Sequence, residues 1–391
     1  MSDLSIILGQ GGLLRDSESL DQATGLVFYT SAALDPLMNS NDTHRIYSLA
    51  EAEAKGILET GAFEVLHYFV KRYFSQNPSG DLAVKIAAEP SAQPQTFSKV
   101  VELQMDMGGE LRQIGVFTSA TLSATLVQTL QARAEELVAE SMPASLFLGA
   151  DIKTITDLTT LPNLRTLNCP RVSVVIAQSG SGKGLSLFTA KGYSIPALGD
   201  VLGAVSKSNV AMNIGEVGRI QLVNDNELAV AAYANGQVQT KLTSVAQKAL
   251  VNKGLITLRK IVGDYANTYI YDAPTAVAVT SDYAYVENVR TIDKAVRLIR
   301  LALLPTLNSG VKINPVSGNL DETFVAGYKS IANRPLNQME NEGSISGFSV
   351  TIDPKQKVLQ TGTLRLSVSI VPIGVARNIV VNLGYTTKIA N

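Results

Sequence analysis

The sequence predicts an α/β protein: mixed sheets flanked by helices, with strands at both ends of the chain available for exchange between subunits. Three observations carry that reading. From residue 111 onward, continuously apolar strands alternate with amphipathic helices, the pattern of a sheet covered on at least one face. Near the C terminus, "LRLSVSIVP" sets Leu364, Leu366, Val368 and Ile370 between Arg365, Ser367 and Ser369, which marks a strand with one wet face. Short apolar segments, "LSIIL" and "NIVVNLGY", stand near the two ends on glycine-containing connectors.

Taken in order, residues 1–25 read as a strand and a flexible arm, because "GQGGLLRDSESLDQATG" is rich in glycine and polar residues. Region 26–110 begins with the strand "LVFYT" and continues as helix, helix, the turn "NPSGD" and the strand "LAVKI". Its last part, 86–110, is richer in proline and polar residues and is expected to be a boundary or a surface excursion. Region 111–250 supplies the strands "LRQIGVFTSA", "ASLFLGA" and "RVSVVIAQ" with helices over "ATLVQTLQARAEELVAES" and "IPALGDVLGAVSKSN". Region 251–391 opens with two strands joined around Gly263 and Asp264, continues through a long helix and a helical link, and closes in strands.

Composition narrows the functions. Hydrophobic residues make up 46% of the chain and charged residues 17%, so less surface than usual can be charged, as when surfaces are buried against other subunits. A net charge of −1 provides no global basic field for nucleic acid or anionic membrane. The single cysteine, Cys169, allows neither an intrachain disulfide nor a cysteine-based zinc site and reads as a buried structural thiol. His44 and His67 lack the spacings of metal or nucleophile motifs, and no metal, cofactor or catalytic residue is expected. No apolar run reaches membrane-spanning length and the N terminus lacks a secretory pattern, so synthesis and initial residence in the cytoplasm are expected.

One loop tests the alternative of a nucleotide-driven machine. "VVIAQSGSGKGLSLF" has Gly182 and Lys183 of a phosphate-binding loop, but Ala177 stands where the first glycine belongs and Gly184 where a Mg²⁺-binding hydroxyl belongs. Gly192 and Pro196 follow within about two turns, which predicts a strand-to-strand loop in place of a long helix. Asp151 is the best strand-end acid for a second nucleotide motif, and its order relative to the loop does not fit.

In "YVENVRTIDKAVRLIRLALLPTL", Val289, Ile292, Val296, Ile299 and Leu303 recur at spacings of three and four and form an apolar face. Arg290, Lys294, Arg297 and Arg300 follow at offsets of four, seven and ten, which at about 100° per residue makes one basic stripe. Such a stripe is either a solvated face or a docking surface for an acidic protein; no aromatic platform for nucleic acid accompanies it.

The order of "LVNKGLITLRKIVGDYANTYIYDAPTAV", "YAYVENVRTIDKAVRLIRLALLP", "GSISGFSVTIDPKQ" and "LRLSVSIVPIGVARNIVVNLGY" resembles the tail sheath proteins of contractile bacteriophages and related contractile injection systems. The resemblance is strongest from about residue 250 to the end, with a weaker echo in "SLAEAEAKGI" and "YFSQNPSGDLAVKI". It implies a structural, non-enzymatic subunit in hexameric rings stacked around an inner tube, assembled in the bacterial cytoplasm, bounded by baseplate and terminator proteins, and built without nucleic acid or membrane insertion. It further implies that Arg290, Lys294, Arg297 and Arg300 face the inner tube, and that Ile6, Ile7 and Leu8, with Ile379, Val381 and Leu383, lie in strands donated to neighbours. A tail terminator or other ring-forming tail component is the alternative within the same class.

Overall fold

A computed structural model of the protein describes residues 19–32, 42–88 and 95–385. The chain divides between Leu301 and Ala302 into two compact units.

In the first unit, α1 (Ser19–Gln22) leads into β1 (Thr24–Thr30), β2 (Thr43–Ile46), α2 (Leu49–Ala54), α3 (Glu64–Gln76), β3 (Leu82–Ala88) and α4 (Ser98–Asp106). Then come β4 (Gln113–Thr121), α5 (Ala124–Ala139), β5 (Ser145–Asp151), β6 (Val172–Val175), β7 (Ala177–Ser179), α6 (Gly182–Ala190) and α7 (Leu198–Lys207). The unit continues with β8 (Ala231–Tyr233), α8 (Ser244–Asn252), β9 (Leu255–Ile256), β10 (Leu258–Ile261), β11 (Asp264–Ile270) and α9 (Val286–Leu303), the helix in which the chain reaches the division.

One mixed sheet of order β2-β3-β1-β4-β5-β6-β9 organises this unit and runs through both the 26–110 and 111–250 regions. Its neighbours are parallel except β2, which is antiparallel to β3. Because successive side chains of a strand point to opposite faces, Leu26 and Phe28 of β1 enter one core and Val27 and Tyr29 the other. The first core takes Phe69 and Tyr73 of α3 and Leu198 and Leu202 of α7; the second takes Val100 and Leu103 of α4 and Leu126 and Leu130 of α5. Burying each such large apolar side chain stabilises the fold by about 1.5–3 kcal/mol.

Segment 86–110 departs from expectation in its second half. Residues 98–106 are a helix of the second core, with Val100, Val101 and Leu103 buried, where the composition suggested a surface excursion. The polar appearance misleads because Gln104 is itself buried and employed: its amide donates to Leu111 O (3.0 Å) and Met142 O (3.1 Å) and accepts from Leu111 N (3.1 Å).

Helices α3 and α7 approach closely. A Cβ on Gly203 would stand 2.7 Å from Tyr73 O and 2.6 Å from Gln76 Cβ, so only glycine fits. Between the helices Arg72 Nε and Nη2 donate to Asp200 Oδ1 at 2.9 and 2.6 Å, and Nη2 also donates to Leu222 O. The run "RVSVVIAQ", expected as one strand, is divided after Val175. β6 stays in the main sheet, while β7 pairs antiparallel with β8.

The second unit has a much smaller core. Asp321 caps α10 (Glu322–Asn341) by accepting from Thr323 N and Phe324 N at 3.0 and 3.2 Å. β12 (Ile345–Thr351), α11 (Val358–Thr361) and β13 (Ser367–Pro372) follow, and β12 and β13 form an antiparallel two-stranded sheet. One cluster has buried Leu320, Ile352 and Val358 with half-buried Phe324, Leu364 and Leu366 against them, and Ala332, Leu336 and Met339 of α10 and Ile345 of β12 are buried as well. The alternation in "LRLSVSIVP" is present as read: Leu364, Leu366, Val368 and Ile370 are half-buried and Arg365, Ser367 and Ser369 exposed, although regular strand begins only at Ser367.

Candidate functional site

The glycine loop joins β7 to a helix, α6, and so corrects the expected strand-to-strand link. The nine-residue α6 ends at Ala190, before Gly192, and Gly182 takes the left-handed φ of 61° that starts it. The positive end of this helix already holds an anion from within the chain. Glu227 accepts from the backbone N–H of Lys183 through Oε1 and from that of Gly184 at 3.2 and 3.3 Å through its two oxygens. Tyr68 Oη donates to Glu227 Oε2 at 3.1 Å, and burial, with the charges of Asp200 and Glu227, pushes this phenol well above its ordinary pKa. A carboxylate bound to the first N–H groups of a helix takes the position a phosphate would need. Asp151 is also employed internally, accepting from Ser194 N and Oγ at 2.8 and 2.9 Å.

The basic stripe of α9 does not form one solvated face. Arg290 and Lys294 are only 4% and 7% exposed, Arg297 is partly buried, and Arg300 is the exposed member. Asp21 draws them inward: Lys294 Nζ lies 2.8 Å from its Oδ2, and Arg297 Nη2 donates to its Oδ1. Arg290 donates to Asn209 O and Ser208 O at 3.3 and 3.2 Å, the carbonyls just after α7. Burial raises the Asp21 pKa, but the Lys294 hydrogen bond and the charges of Arg297 and Lys294 outweigh it, so the carboxyl titrates below its ordinary range. On the apolar face Val289 is buried, Ile292 and Ile299 are half-buried, and Val296 is exposed.

The terminal segments differ from both. Ile6, Ile7 and Leu8 lie outside the described residues. The expected strand over "NIVVNLGY" is absent from the described part of the chain: residues 373–385 have no regular structure, and Ile379, Val381 and Leu383 are 83%, 77% and 96% exposed. The composition of a strand is there, but among the described residues no neighbouring strand pairs with it.

The remaining candidates have structural places. His67 Nε2 lies 2.9 Å from Glu53 Oε1 in the packed end of α3, and burial lowers the pKa of His44. Cys169 is buried and its thiol pushed up to about 11 by burial and then by the charge of Glu135. Among the described residues no cluster of His, Cys, Asp and Glu could hold a metal ion, and no helix is long and apolar enough to cross a membrane. Sequence reasoning missed Glu227 and Asp21; the first lies in the polar connector "VNDNEL" and the second in the four-residue α1 within "RDSESLDQ", and neither stretch carries a periodic signal.

Comparison with known proteins matches the C-terminal part and the fold. Residues 282–390 match the family model described as DUF2586, C-terminal domain. No curated protein sequence matches the chain. A chain in the structure of the anti-feeding prophage (AFP) baseplate is 15% identical with a TM-score of 0.60, over 99% of both chains. A chain in the PVC sheath complex of an extracellular contractile injection system, in its contracted state, is 13% identical with a TM-score of 0.61, over 99% of this chain and 98% of that one. The protein thus has, along nearly its whole length, the fold of chains found in contractile particles.

Proposed function

We propose that this chain is a structural, non-enzymatic subunit of a contractile injection particle or phage tail, and within it a sheath subunit that polymerises around an inner tube. The observation that carries the reading is the C-terminal segment. A strand-like run with exposed Ile379, Val381 and Leu383 follows a two-stranded sheet whose β12 and β13 each have a free edge among the described residues. A segment in no strand pairing among the described residues and a sheet that can accept strands are the two halves of strand exchange between copies. Ile6, Ile7 and Leu8 are the counterpart at the N terminus. Contraction would draw its work from two packings of the same subunits, with no bound fuel required.

Of the four stripe residues, Arg300 has the exposure a tube contact needs, while Arg290, Lys294 and Arg297 brace α9 from within. Exposed ion pairs are worth about 0–1 kcal/mol each, which suits a contact that must release. A baseplate or terminator role is the second reading, favoured by the likeness to a chain in a baseplate structure.

Negative-stain electron microscopy of the full-length protein beside a variant truncated after Ile373 separates these readings. Long hollow cylinders from the first and small species from the second support a sheath. Closed rings of fixed size support the second reading, and monomers in both samples overturn both.

A further inference from the structure

The first unit concentrates positive charge where water has little access. A cavity of about 10 Å³ lies beside α9, bordered by the carboxylates of Asp21 and Asp293 and the guanidinium groups of Arg112, Arg290 and Arg297. That is room for about one water-sized group.

The two carboxylates are already committed. Asp21 is held by Lys294 and Arg297, and Asp293 is gripped in bidentate fashion by Arg171 at 2.6 and 2.7 Å. Arg112 and Arg290 therefore have no carboxylate of their own within ion-pair distance among the described residues, only backbone carbonyls. Arg112 donates to Gly109 O and Leu111 O at 2.8 and 3.3 Å, and Arg290 to Ser208, Asn209 and Asp21 oxygens at 3.2–3.4 Å. In each, the buried Nε–H lacks any hydrogen-bond partner among the described residues.

A buried donor without a partner is a rarity in folded proteins, and the charges of Asp21, Glu110 and Asp293 on Arg112, and of Asp21 and Glu287 on Arg290, do not supply the missing hydrogen bonds. The charge cannot be shed by deprotonation, because burial pushes both guanidinium groups down only to about 10. Three guanidinium groups and two carboxylates thus border a space that accommodates one small group.

We propose that this cavity is a binding site for a single small inorganic anion of halide size, held by Arg112 and Arg290. None of its lining residues belongs to the glycine loop, and it does not depend on the assembly role of the chain.

Thermal unfolding of the full-length protein, with sodium chloride replacing sodium gluconate at constant ionic strength, tests the site. Binding to the folded state raises the midpoint in a saturable manner. The rise is expected to be lost in Arg112→Gln and retained in Lys241→Gln, a change at an exposed lysine elsewhere. ³⁵Cl line broadening by the unmodified protein, reversed competitively by bromide, gives a readout that survives if the variant fails to fold. Anomalous scattering from crystals grown in bromide should place the ion between Arg112 and Arg290. A linear, non-saturating chloride response shared by all variants, broadening that bromide does not reverse, or bromide density only elsewhere would overturn the proposal.

Discussion

The two units of this chain solve the problem of burying a sheet in different ways. In the first, seven strands lie between two layers of helices, and β1 is buried on both faces from Thr24 to Tyr29. In the second, half-buried and exposed residues alternate along β13 and along β12 from Phe348 onward, and the edges of the two strands have no further partner among the described residues. A two-stranded sheet is marginal alone, and unpaired edges recruit other strands. The difference separates a sheet that its own helices cover on both faces from one whose edges stay open among the described residues.

The comparison is broken most severely by attacking the first unit at the buried pair between α3 and α7. Arg72→Met leaves Asp200 buried beside Gln76 without its cation, and removing one partner of a buried pair costs about 3–5 kcal/mol. Burial, the first cause, already raises the Asp200 pKa despite the Arg72 charge, so the carboxyl of the variant should take up a proton on folding. Urea denaturation should show the midpoint falling sharply, with the loss shrinking at acid pH; an unchanged midpoint would show the pair to be dispensable.

The same contrast explains what could be read in advance. The first unit announced itself through side-chain periodicity: "LVFYT", "SLFLGA" and the amphipathic run before Ala139 appear as β1, β5 and α5 because burial imposes period on sequence. What stayed hidden was the direction of the α9 stripe. Its spacing is visible, but its orientation depends on Asp21, some 270 residues earlier, and on carbonyls after α7. No local pattern encodes a contact of that range. The cap on α6 was hidden for the same reason, since Glu227 arrives from a loop with left-handed Asp225, Asn226 and Leu228. In the C-terminal segment the composition predicts a strand, and among the described residues no neighbouring strand pairs with it.

A smaller effect comes from acid. The Asp21 pKa is lowered in the folded chain, so its contribution is fully present above the unfolded value near 3.9 and is lost as pH falls through the lower folded value. Asp21→Asn should therefore destabilise the protein at neutral pH by about 1.5–3 kcal/mol, the range for hydrogen bonds to charged groups. The gap from the unmodified protein should narrow as pH drops through that window. A gap that is constant with pH would mean that the ion pairs to Lys294 and Arg297 contribute nothing as charges.

The smallest effect on the folded chain should come from the segment most exposed. Val381→Glu places a charge where a side chain is already in water, and surface changes of this kind lie within about 0.5 kcal/mol. Its denaturation curve should overlay that of the unmodified protein. If the segment is donated between copies, the same substitution puts a carboxylate into the apolar face of an intermolecular sheet, and sedimentation should show assembly lost while folding is intact. Assembly and stability are then separable at one residue, as they should be if residues 373–385 find their partner in another copy. Loss of both together would place Val381 inside the fold of its own chain, and retention of both would remove the C-terminal segment from the interface.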